Sequence, residues 1–148
     1  MKTRAKQDLY PPNQTKCAVT CASVSVGLVG ASVDPAALTT ITRIQPSSAW
    51  TKGSLHLPRA GTSFYRGEGL WAVEREGADV AETAIELLRV AESSGTTLRE
   101  YAAAEGASLS VGIWWDPRGV GGFVAPSDIV RRLCALCDTV NVYYPGKD

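Results

Sequence analysis

The sequence predicts an α+β domain built as a ferredoxin-like plait: two strand–helix–strand halves, an antiparallel sheet, and an inserted helical pair. Three observations predict it. Stretches of period-two apolar alternation occur at 17–29, 69–74, 109–115 and 140–144, as half-buried strands require. Stretches of helical spacing, opened by capping residues, lie between them. Two of those helices follow one another directly in the middle of the chain, so setting them aside leaves the two halves of a plait.

In the first strand, Ala18, Ala22, Val24, Val26 and Leu28 make one apolar face, while Cys17, Val19, Cys21, Ser23 and Ser25 make the other. Asp34-Pro35 then supplies an N-cap with proline in the first turn. Leu38, Ile41 and Ile44 give a short apolar stripe, and Gln45-Pro46 ends the helix. Residues 46–68 are the least regular part, and Gly69-Leu70-Trp71-Ala72-Val73-Glu74 returns to strand character.

Asp79 opens a stronger helix, with Glu82 three residues on as a capping pair and Val80, Ala84, Leu87, Leu88 and Ala91 at helical spacing. Ser93-Ser94-Gly95 is expected to break it. Thr97 and Glu100 read as a second capping box, with Leu98, Tyr101 and Ala102 facing inward and Gly106 as the C-terminal stop. Leu109, Val111, Ile113 and Trp115 alternate with Ser110, Gly112 and Trp114 in the next strand. A turn at 116–119 and a short strand at 122–124 lead to a helix capped by Ser127 and carrying Ile129, Val130, Leu133, Leu136 and Cys137. Val140, Val142 and Tyr144 form the inward face of the last strand.

The chain has 148 residues, 45% of them hydrophobic and 20% charged, which suits one globular domain. Residues 1–15 read as a flexible N-terminal arm and 16–148 as a single α+β domain. Fifteen Lys and Arg balance fifteen Asp and Glu, so no global field draws in nucleic acid or an anionic membrane. Lys2, Arg4 and Lys6 sit in the arm, which leaves the folded body slightly acidic. The arm lacks the apolar core of a signal peptide and no apolar run is long enough to span a bilayer. A cytoplasmic location with reduced thiols is therefore expected.

Several groups could carry chemistry. Cys134 and Cys137 lie three apart on a helix, and Cys17 and Cys21 could converge with them as a four-thiolate zinc site. The pair lies on an apolar helical face, where cysteine behaves as a small hydrophobe, and no metal is expected. His56 could act as a general base with Ser47, Ser48, Ser54 or Ser63, but no serine lies in a Gly-x-Ser-x-Gly elbow. Gly119-Val120-Gly121-Gly122 lacks the Lys-Ser/Thr of a phosphate loop. No catalytic residue and no cofactor is expected.

Trp114 and Tyr143 fall on the strand faces opposite the apolar ones, where an open sheet would let them stack on bases; the neutral charge argues against nucleic acid. Trp50 and Trp71 flank the irregular segment together with Lys52, His56, Arg59 and Arg66. That Trp/Arg composition on a loop suits a protein–protein hot spot, or two tryptophans that plug the core and hold the loop down.

Trp50-Thr51-Lys52-Gly53, Gly69-Leu70-Trp71, and Ile129-Val130-Arg131-Arg132-Leu133 running into Val140-Asn141-Val142-Tyr143-Tyr144 resemble the bacterial family called domain of unknown function 4279, over roughly residues 20–145. The resemblance implies no activity. Analogy with small bacterial toxin-neutralising proteins of similar size and fold suggests an immunity-type or regulatory role. The expected function is thus non-enzymatic binding of another protein through Trp50, Lys52, His56, Arg59, Arg66 and Trp71. The alternative is a small-ligand or nucleotide-binding module with the 46–71 loop as a lid. The sequence does not indicate an oligomeric state.

Overall fold

A computed structural model describes residues 22–58, 60–115 and 124–143. The expected arm at 1–15, the turn at 116–119, Gly122 and Phe123 of the short strand, Arg59, Cys17, Cys21 and Tyr144 lie outside them. The elements run β1 (Ala22–Gly30), α1 (Pro35–Thr42), β2 (Ser48–Trp50), β3 (Leu55–His56), β4 (Phe64–Tyr65) and β5 (Gly69–Gly77). There follow α2 (Val80–Ala91), a 3-10 turn (Glu92–Ser94), α3 (Gly95–Glu105), β6 (Ser108–Trp115), α4 (Ser127–Leu136) and β7 (Thr139–Tyr143).

The α+β class holds, but the sheet is mixed. Five strands lie in the order β2-β5-β1-β6-β7. Every neighbouring pair is antiparallel except β6–β7, which is parallel. α1 leads from β1 to β2, parallel to it across β5, and the middle helices lead from β5 to β6, parallel to it across β1. α4 then brings β7 back parallel and adjacent to β6. β1 and β5 are adjacent and antiparallel from Ala22↔Gly77 to Gly30↔Gly69. The antiparallel sheet expected from the sequence is corrected on this point: the parallel β7 at its edge makes the sheet mixed.

Alternation decides which side of the sheet is buried. Ala22, Val24, Val26 and Leu28 of β1, Trp71 and Val73 of β5, and Leu109, Val111 and Ile113 of β6 share one face. They form one core with Leu38 of α1, Leu87 and Leu88 of α2, Leu98 of α3 and Leu133 of α4. The four described α-helices therefore all cover this face. The other face carries Ser23, Ser25, Gly27 and Val29 of β1, Leu70, Ala72, Glu74 and Glu76 of β5, and Ser110, Gly112 and Trp114 of β6. Among the described residues no helix covers it.

Side-chain caps open α1 and α2. The Asp34 carboxylate accepts from the Ala36 and Ala37 amides at 3.0 and 3.2 Å, and Asp79 accepts from Glu82 at 3.1 Å, satisfying amides the helices leave unpaired. α1 stops at Arg43, in the left-handed region at φ 59°, before Gln45-Pro46 is reached.

The middle helices depart from expectation. Ser93-Ser94-Gly95 does not break the chain; a 3-10 turn leads straight into α3, which begins at Gly95 with Thr97 and Glu100 inside it. A Cβ on Gly95 would lie 3.1 Å from Leu136 Cδ2, so this glycine serves close packing of α3 on α4. Gly106, at φ 63°, ends α3 as expected. Ser127 is the first residue of α4 rather than its cap, a position held by Pro126. Val140 packs on the core, Val142 is exposed, and Val124 lies outside any strand.

Candidate functional site

The segment at 46–71 is a β-ribbon rather than an irregular loop. Ser48–Trp50 pair with Leu70–Ala72, and Leu55–His56 pair with Phe64–Tyr65 in the same register, without a slip. Two rungs join these pieces: the Gly53 amide donates to Arg66 O at 2.7 Å, and the Arg66 amide to Ser54 O at 2.9 Å. Between them Thr51–Ser54 form a turn closed by Ser54 N to Thr51 O at 3.2 Å. Gly53 supplies its positive φ of 84°, as the third position of a type II turn demands. At the ribbon's base the Ser47 hydroxyl accepts from the Glu74 amide at 2.9 Å.

The two ribbon faces differ. Trp50, His56, Phe64 and Arg66 share the face continuous with the bare side of the sheet. The Arg66 guanidinium sits over the Trp50 ring, 3.7 Å from its centroid. Its Nη2 donates to His56 Nδ1 at 2.7 Å, since a guanidinium has no acceptor. The His56 and Phe64 rings are 4.9 Å apart and tilted by 45°. Leu55 and Tyr65 form a cross-strand pair on the opposite face. Leu57 is 73% exposed and Tyr65 75%, with Leu55 and Phe64 about half exposed.

Among the sequence-predicted residues, the structure brings Trp50, His56 and Arg66 into one stack. Lys52 stands apart, exposed on the turn. Arg59 lies outside the described residues. Trp71 faces the other way: it is fully buried, and its indole N–H donates to Thr39 Oγ1 at 3.2 Å. It ties α1 to β5 and holds the ribbon's base from below, out of reach of a partner. Leu55, Leu57 and Tyr65, exposed on the ribbon, are not among the residues the sequence singles out. The available signal was a Leu-x-Leu alternation and an aromatic pair flanking the turn-rich 58–63.

Among the described residues no hydrolytic constellation forms around His56. Its Nδ1 is occupied by Arg66, and the Ser47 and Ser54 hydroxyls donate to main-chain carbonyls. Cys137 is buried against the Thr139 carbonyl at 3.0 Å, and burial pushes its thiol pKa up. Cys134 is exposed. Among the described residues no three His, Cys, Asp or Glu side chains are placed to hold a metal ion, and no helix is long and apolar enough to cross a membrane.

A family profile described as a domain of unknown function (DUF4279) matches residues 18–142. The chain belongs to this family. The match takes in every described strand except the last residue of β7, and the whole ribbon, so both are part of the DUF4279 unit. No curated protein and no solved structure matches the chain.

Proposed function

We propose that this DUF4279 domain is a non-enzymatic protein-binding module whose contact surface is the tip of the 47–74 ribbon. The observation that carries this reading is the exposed cross-strand pair Leu55–Tyr65, with the exposed Leu57 two residues on, on a hairpin locked by its own hydrogen-bond ladder. Exposed apolar side chains scattered singly are ordinary, whereas a contiguous group calls for a partner. The Trp50–Arg66–His56–Phe64 stack supports it by holding the hairpin rigid before contact, which lowers the ordering cost of binding. An immunity-type or regulatory role within the cytoplasm fits such a module.

A second reading, a small-ligand or nucleotide site under the ribbon, draws on a cleft lined by Val29, Trp50, Phe64, Arg66 and Leu70. That cleft measures about 230 Å³, below the ~300–1,000 Å³ usual for ligand pockets. Arg66 is also engaged already by Trp50 and His56. The protein-binding reading is therefore preferred.

The test is affinity capture from the native host with wild-type protein and with a Leu57→Ser/Tyr65→Ser variant of unchanged melting temperature. A protein retained by the wild type and lost by the variant is expected. Equal recovery by both, or no specific protein with either, overturns the reading.

A further inference from the structure

We propose that the sheet face no described helix covers binds an arginine side chain from an extended basic segment of a partner protein, in the slot between Glu74, Glu76 and Trp114. This surface is separate from the ribbon tip and does not depend on it. Ser23 is the slot's floor. Glu76 and Trp114 are its partners on β5 and β6, so they stand about 10 Å apart, two strand spacings, on one face. The Ser23 hydroxyl donates to Glu74 Oε1, which draws this second carboxylate toward the slot and leaves Oε2 for another donor. Ser23, Glu74, Glu76 and Trp114 together line a groove of about 420 Å³.

The floor continues as Ser25, Gly27, Ala72, Ser110 and Gly112. None of these side chains stands tall enough to keep an extended chain from lying close. At Gly112 a Cβ would lie 2.9 Å from Ser25 Oγ and 3.8 Å from Tyr143 Cε2, so this glycine gives the Ser25 hydroxyl and the Tyr143 ring their room. Trp114 pairs with Tyr143 across β6–β7, giving the far side of the slot an aromatic wall.

Charge complementarity selects the occupant. Two carboxylates and an indole face, with no cation among the described strand residues on this stretch of the face, match a planar guanidinium that donates in bidentate pairs and stacks on aromatics. The protein shows that pairing once already, in Arg66 over Trp50. A phosphate or nucleic acid would meet the carboxylates as like charge and is disfavoured.

The test is fluorescence anisotropy of the full chain with the labelled probe Gly-Ser-Arg-Gly-Ser-Arg-Gly-Ser, beside the same peptide with Glu in place of Arg. Saturable binding of the Arg probe alone is expected. Glu74→Gln/Glu76→Gln and Trp114→Ala should each weaken it by about two- to fivefold, the scale of single exposed contacts of these kinds. Tyr65→Ser should leave it unchanged. Glu76→Gln alone changes an exposed side chain and keeps the result readable if Trp114→Ala misfolds. No saturable binding, equal binding of the Glu peptide, affinity unmoved by Glu76→Gln, or loss with Tyr65→Ser overturns the proposal. So does tenfold tighter probe binding when Lys2, Arg4 and Lys6 are all changed to Glu, which would assign the slot to the chain's own basic residues.

Discussion

The Arg66 guanidinium lies 3.7 Å above the centroid of the Trp50 ring. That contact joins the returning strand of the ribbon to the edge strand of the sheet. It also explains how a hairpin with two short ladders can stand out from the domain without collapsing.

Trp50→Ala should loosen the ribbon without unfolding the domain. An exposed cation–π contact is worth about 0.5–1 kcal/mol, so ribbon amides should exchange about two- to fivefold faster. Hydrogen exchange read at Gly53 and Arg66, the two rungs of the ladder, checks this. Amides of Val26 and Val111 in the buried strands should keep their protection.

Trp71 should behave in the opposite way. It is fully buried with its N–H satisfied by Thr39, so Trp71→Ala should cost about 3–5 kcal/mol in urea unfolding. Thr39→Val, which strands the indole N–H, should cost about 1–3 kcal/mol. Neither residue meets the surface that Leu57 and Tyr65 present.

The contrast between the two tryptophans shows what was legible in the sequence. Alternation through 69–74 marked a strand, and parity with Val73 put Trp71 on the core side. The capped helices at Asp34 and Asp79 were equally local signals. The ribbon was not legible, because β2, β3 and β4 are only two or three residues long and owe their pairing to a partner across the 57–63 tip. Strand direction was hidden for a similar reason: a helix between two strands permits either sense, and only the position of β7 beside β6 fixes it as parallel. Gly95 misled because a glycine that allows close helix packing looks like one that ends a helix.

Glu92 and Arg132 give a pH-dependent element. Arg132 Nε and Nη2 donate to the two Glu92 oxygens at 3.0 and 2.6 Å, clamping the 3-10 turn to α4. The hydrogen bond from Arg132, the larger effect, outweighs burial and holds the Glu92 pKa below its ordinary 4.5. A carboxyl with a depressed folded pKa stabilises above its unfolded value and loses that contribution as pH falls through the folded one. Wild type should therefore exceed Glu92→Gln in thermal stability at pH 7. The gap should begin to narrow near pH 4.5 and close below it. Both side chains are partly exposed, so 1 M salt should shrink the gap at neutral pH.

The two helix cysteines should separate by reactivity. Cys134 is exposed, whereas Cys137 is buried with its thiol pKa pushed up by burial. Iodoacetamide at pH 8 should modify Cys134 in the native protein and Cys137 only after denaturant is added, by peptide mass spectrometry. Native modification of both at equal rates would contradict the packing of α4 against β7.

The central claim, that the ribbon tip is a protein-contact surface, is tested most directly by photo-crosslinking in the native host. A benzophenone side chain would replace Tyr65, 75% exposed on the tip, and in a parallel strain would replace Glu100, exposed on α3 in the helical layer. A discrete adduct from position 65, absent from position 100, is the predicted result. No adduct from position 65, or the same adduct from both positions, would contradict it.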